Sequence, residues 1–138
     1  MNILVVDDNK TVQEKLVTII TAQGHCVSSS VNGLDALGKT QSTNYDVYVI
    51  DHLMPLMNGI KLVKNLKANR STSDIPIIFM TTQGVSAIKN LSEFPLFNAV
   101  IEKPINENEL INLLSDFENN NFQNVAINNS ALNTNLLY

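Results

Sequence analysis

Residues 45–59 read Tyr45-Asp46-Val47-Tyr48-Val49-Ile50-Asp51-His52-Leu53-Met54-Pro55-Leu56-Met57-Asn58-Gly59. The apolar run does not alternate with polar residues, as expected of a strand covered on both faces rather than one with a wet side. It ends on an acid, Asp51, and Asn58-Gly59 then supplies turn chemistry. Beyond the turn the periodicity changes, with Ile60, Val63 and Leu66 on one side of a helix. A buried strand at 45–51 followed by a helix is half of a β-α-β unit.

The same alternation recurs on either side. Residues 2–7, 26–29, 77–81 and 100–102 read as further strands, giving five in all. Val12, Leu16, Ile19 and Ile20 repeat at helical spacing, as do Leu110, Leu113, Leu114 and Phe117. Asn9 is placed to cap the first helix, Thr11 and Glu14 stand at capping-box spacing, and Gly24 marks its end. Residues 34–41 form a shorter helix, and 85–93 a fourth that Pro95 cannot continue. Strands and helices alternating five times imply parallel strands joined by right-handed crossovers, an open α/β sheet with helices on both faces. Ligands bind such sheets at the carboxyl ends of the strands.

Those ends carry chemistry. Asp7 and Asp8 close the first strand, Asp51 the third and Thr81 the fourth, while Lys103 follows the fifth. Each has an ordinary reading alone: a helix-dipole acid, a turn, a strand threonine, a solvated lysine. Their joint placement at strand ends is what independent accident rarely produces. Two carboxylates about 4 Å apart repel by about 4 kcal/mol at an effective dielectric near 20, so a cation or a proton is needed. Mg²⁺ suits the set, because it binds through one or two carboxylates, retains waters and reaches phosphate oxygens. A carboxylate can also act as a nucleophile and become an aspartyl phosphate, and Asp51 is central.

With these residues in place, the chain resembles the receiver domain of bacterial response regulators. The resemblance rests on Asp7-Asp8 after an apolar strand, Asp51-His52-Leu53-Met54-Pro55 with Asn58-Gly59, Thr81, and Lys103-Pro104. It implies a CheY-like, flavodoxin-like doubly wound sheet of order 2-1-3-4-5 with five helices, over residues 1–118. It also implies that Asp51 takes a phosphoryl group from the phosphohistidine of a sensor histidine kinase or a histidine phosphotransfer protein. Mg²⁺ would be held by Asp8, Asp51 and the Leu53 backbone carbonyl, with Asp7 acting mainly through water. Lys103 and Thr81 would bind phosphoryl oxygens, and the Lys103–Pro104 peptide would be cis. The face of the fourth and fifth helices would then change and control an unnamed protein effector. Beyond this self-catalysed transfer and loss of the phosphoryl group, no enzyme activity is implied.

Several positions depart from the family pattern. Val100 stands where an aromatic switch residue is usual, with Phe97 the nearby substitute, and Thr82 stands where a small residue is usual. These departures motivate an alternative, a receiver-fold interaction module independent of phosphorylation. A phosphatase acting through a covalent aspartate is disfavoured, since His52 and Leu53, not an acid, follow Asp51. His52 itself is expected to turn away from the crevice by strand alternation. The apolar segment Phe94, Pro95, Leu96, Phe97 reads either as a partner surface or as core packing.

Bulk properties agree with one ordinary domain. The chain has 138 residues, is 44% hydrophobic and 16% charged, and carries a formal charge of −4, which argues against nucleic-acid binding. The apolar N-terminal run is cut short by Asp7 and Asp8, no stretch is long enough to span a bilayer, and the cytoplasm is the expected compartment. Cys26 reads as a buried small side chain. Residues 119–138 are Asn-rich and uncharged, and read as a flexible tail or linker.

Overall fold

The structure, a computed structural model, describes residues 1–119. The reading of 119–138 as a tail lies, from residue 120 on, outside the described residues. In chain order the elements are β1 (Asn2–Val6), α1 (Lys10–Ala22), β2 (Cys26–Ser30), α2 (Gly33–Ser42), β3 (Val47–Asp51), α3 (Gly59–Ala68), β4 (Ile77–Thr81), α4 (Val85–Lys89), a 3-10 turn (Phe94–Leu96), β5 (Ala99–Glu102) and α5 (Glu107–Glu118). All four strand pairings are parallel and the order is β2-β1-β3-β4-β5. This is the doubly wound sheet expected from the sequence.

Strand alternation divides the interior into two layers. Ile3 and Val5 of β1, Val47 and Val49 of β3, and Ile78 and Met80 of β4 face Leu16, Ile19 and Ile20 of α1 and Leu110, Leu113 and Leu114 of α5. The intervening residues, among them Leu4, Tyr48, Ile50, Phe79 and Val100, pack with Ala36 of α2 and Leu62, Val63 and Leu66 of α3. With both faces covered, β3 and β4 are buried throughout, which is why their sequences do not alternate.

Three local expectations are corrected. Cys26 is exposed, because β2 is the sheet edge and its first residues have no outer neighbour. The cap of α1 is Asn9, whose side chain accepts from Val12 N at 3.0 Å. Thr11 lies one residue inside the helix, so the Thr11/Glu14 spacing has no capping role. The third helix packs Val63 and Leu66 into the core with Ile60 half-buried against the same layer, the side expected of it, and adds Leu62. The fourth helix stops at Lys89, and Pro95 sits inside the 3-10 turn instead of ending a longer helix. Phe94 and Leu96 are half-buried and Phe97 is buried, all packing on the α2/α3 layer, while Pro95 is exposed.

Candidate functional site

The carboxyl ends of β1, β3, β4 and the residue after β5 meet at one edge of the sheet. Asp7 and Asp51 share the sheet face of Val5 and Val49, so their side chains point to the same crevice. Asp7 is wholly buried and Asp51 nearly so at 6% exposure, whereas Asp8 lies on the exposed rim. One carboxylate oxygen from each of the three lies within 4.8 Å of the others. Lys103 reaches in from the loop after β5, placing its Nζ 2.8 Å from Asp7 Oδ2 and 2.8 Å from Asp51 Oδ1. Its own peptide bond to Pro104 is cis, and its amide N donates to the Thr81 carbonyl at 2.9 Å.

The surroundings hold these groups still. Asp7 Oδ1 accepts the Asn9 backbone N–H at 2.8 Å, so the residue that caps α1 also orients the buried acid. Gln13 Nε2 donates to the carbonyls of Asp7 (3.2 Å) and Ser30 (3.1 Å), tying the ends of β1 and β2 to α1. Gly59 starts α3 directly beneath Asp51, its N–H donating to the His52 carbonyl at 2.8 Å. A Cβ there would lie 2.1 Å from the Asp51 carbonyl oxygen, so only glycine permits the approach. The loop above it is tight: Leu56 has φ 66° without being glycine, and its side chain is 80% exposed.

The charges do not cancel, with three acids facing one ammonium. Burial pushes Asp51 up to about 6, and the charges of Asp7 and Asp8 push the same way against the opposing Lys103. Burial alone would lower Lys103, but its hydrogen bonds to Asp51 and Asp7 win and hold it above the usual lysine value. Asp7 Oδ2 makes no hydrogen bond of regular geometry and has the Lys103 ammonium beside it. An all-oxygen, carboxylate-rich set with more negative charge than the one ammonium offsets fits a hard divalent cation. Among the described residues, Asp7, Asp8 and Asp51 form the group of this kind.

Thr81 is fully buried, and its hydroxyl is already engaged. Oγ1 accepts the Gln83 N–H at 3.0 Å and lies 3.1 Å from His52 Nδ1. His52 takes the direction expected of it and meets a partner that was not foreseen. Alternation does turn it away from Asp51, but Thr81 lies on that same far face. Asp51 pairs with Met80 in the β3–β4 register, so the next pair is His52 beside Thr81. Register was the missing information. Burial holds the His52 ring below the usual histidine value. Val100 is buried opposite Phe79, and Phe97 stacks on Phe79 with ring centroids 4.0 Å apart. Leu53, Thr82 and Gln83 are exposed at the rim.

Residues 3–115 match the family described as response regulator receiver domain. Among relatives, PilH of Pseudomonas aeruginosa is 30% identical over 113 residues, which are 82% of this chain and 93% of that protein. "Probable transcriptional regulator ycf29" of Pyropia yezoensis is 32% identical over 91% of this chain, and the chain spans 57% of its length. Among solved structures, the response regulator protein TrrA from Thermotoga maritima, in complex with Mg²⁺-BeF, is 28% identical with a TM-score of 0.76, over 84% of this chain and 97% of that one.

Proposed function

Because the chain belongs to the response regulator receiver domain family, we propose that it is a phosphoacceptor whose Asp51 carries the phosphoryl group in a two-component or phosphorelay system. The observation that carries this reading is the Lys103 ammonium lying 2.8 Å from both Asp7 and Asp51 beside a third acid, Asp8. A carboxylate oxygen of Asp51 attacks the phosphorus of a phosphohistidine on a sensor histidine kinase or histidine phosphotransfer protein. A P–O bond forms as the P–N bond breaks, and the departing imidazole nitrogen takes up a proton. Hydrolysis by water later returns Asp51 and releases phosphate. The cytoplasm, where such donors are charged from ATP, is the compartment this requires.

Asp8, Asp51 and the Leu53 backbone carbonyl would hold Mg²⁺, with Asp7 contributing through water. Bound there, Mg²⁺ supplies positive charge to the phosphoryl oxygens. Lys103 has two carboxylate partners in the resting site and would exchange one for a phosphoryl oxygen, keeping its charge compensated throughout. The Thr81 hydroxyl would take another oxygen. That exchange would alter the loop leading to α4 and so the α4-β5-α5 face, which controls a protein effector. The apolar side chain of Leu53 offers no help to an attacking water.

Acetyl phosphate or phosphoramidate with Mg²⁺ is expected to add the mass of one phosphoryl group to the intact protein, and Asp51→Asn to abolish the addition. Wild-type protein that takes up no phosphoryl group under any divalent metal would overturn the reading.

A further inference from the structure

The hydroxyl of Thr81 already has two partners in the resting site. Oγ1 accepts one hydrogen bond from Gln83 N and lies 3.1 Å from His52 Nδ1, and in the tautomer with Nδ1 unprotonated the hydroxyl donates its proton there. Thr81 is fully buried beneath the half-exposed His52 ring. The His52 ring in turn rests on Phe79, with centroids 5.3 Å apart and planes inclined at 48°. Phe79 lies parallel to Phe97 at 4.0 Å and 5°. Phe97 closes the 3-10 turn that leads from α4 into β5. An unbroken contact path therefore runs from the Thr81 hydroxyl through three rings to the segment between α4 and β5, past an aliphatic Val100.

We propose that His52, with Nδ1 unprotonated, is the resting-state acceptor for Thr81, a positioning residue that holds the hydroxyl away from the phosphoryl pocket, releases it when the phosphoryl group arrives, and passes the change to Phe97 through Phe79. This rests on the phosphoacceptor reading above and adds a residue to it. The direction of its effect follows from satisfaction of buried polar groups. Removing the acceptor leaves a buried hydroxyl proton unpaired in the resting state only, so the phosphoryl-bound state gains relative to it.

Beryllofluoride with saturating Mg²⁺, titrated into the full chain and followed by NMR, serves as the phosphoryl mimic. His52→Leu is expected to bind it about three- to tenfold tighter than wild type, the equivalent of one hydrogen bond. His52→Asn restores an acceptor and is expected to return affinity towards wild type. In a Thr81→Ala background, His52→Leu is expected to change nothing, because the bond it removes is already gone. In the wild type, the ¹⁵N resonance of His52 Nδ1 is expected to shift on saturation, a readout that survives even if His52→Leu does not fold. Wild-type binding with no shift at Nδ1, or equal affinity in His52→Leu, would overturn the role of His52 while leaving the phosphoacceptor reading standing. No binding by wild type would remove both.

Discussion

Asp51 carries a conflict that its neighbours only partly relieve. It must be ionised to act as a nucleophile, yet burial and two nearby acids favour its protonated form and place it at about 6. The unfolded chain releases this proton near the ordinary aspartate value, about 3.9. Between those two values the folded state holds more protons, so metal-free stability is expected to fall as pH rises from about 4 to about 6, with no further change from this group above. Asp51→Asn removes both the repulsion and the slope. It is expected to stabilise the metal-free protein at pH 7 by about 1–2 kcal/mol, allowing for solvent screening at the crevice mouth. Urea denaturation of both proteins in EDTA between pH 4 and pH 8 checks the sign. A variant less stable than wild type at pH 7 would mean that Lys103 contributes more than burial and like charge remove. These side chains were legible as chemistry in the sequence, since Asp7, Asp8, Asp51, Thr81 and Lys103 all fall at strand ends. His52 was not, because its neighbour comes from β4 and depends on a register that no local pattern contains.

At the scale of elements, the junction of β3 and α3 sets the crevice. Gly59 lets the first turn of α3 sit against the Asp51 carbonyl, and a methyl group there would lie 2.1 Å from that oxygen. Gly59→Ala is therefore expected to destabilise by about 2–3 kcal/mol and to weaken Mg²⁺ binding by moving the acid. Gly38, inside α2, meets nothing within 4 Å of its would-be Cβ, so Gly38→Ala is expected to stabilise by about 0.5–1 kcal/mol. Thermal unfolding of the two variants side by side distinguishes close approach from helix propensity. In the sequence Asn58-Gly59 looked like a turn, and Asn58 does cap α3 by accepting from Lys61 N at 2.9 Å. The necessity for glycine, however, arises from a tertiary contact and not from backbone φ. The end of the fourth helix was misplaced for a related reason. Residues after Lys89 keep apolar periodicity because Leu91, Phe94 and Leu96 all pack on the core, but they do so from turns.

For the whole molecule, a site assembled from four separate chain segments couples cation binding to folding. No unfolded chain brings Asp7, Asp8 and Asp51 together, so the Mg²⁺ binding proposed above is expected to favour the native state by mass action. At about one hundred times its dissociation constant the gain is expected to be about 2.7 kcal/mol. A chain ending at Glu118 is expected to show the same increment, since every proposed ligand lies between Asp7 and Leu53 on the described fold. Melting curves of both lengths with and without Mg²⁺ test this, and a gain lost on shortening would tie residues 119–138 to the site.

Hydrophobic periodicity alone carried the count of strands and helices, their parallel sense and the edge of the sheet where chemistry collects, because burial on two faces writes itself directly into a local apolar run. Family resemblance added the strand order and a role for each acid. What only the tertiary structure decided were relations across strands: Lys103 bridging Asp7 and Asp51, Gly59 pressed on Asp51, and His52 beside Thr81. Those depend on register and on backbones approaching within van der Waals distance, and residues distant in the chain carry no local trace of either.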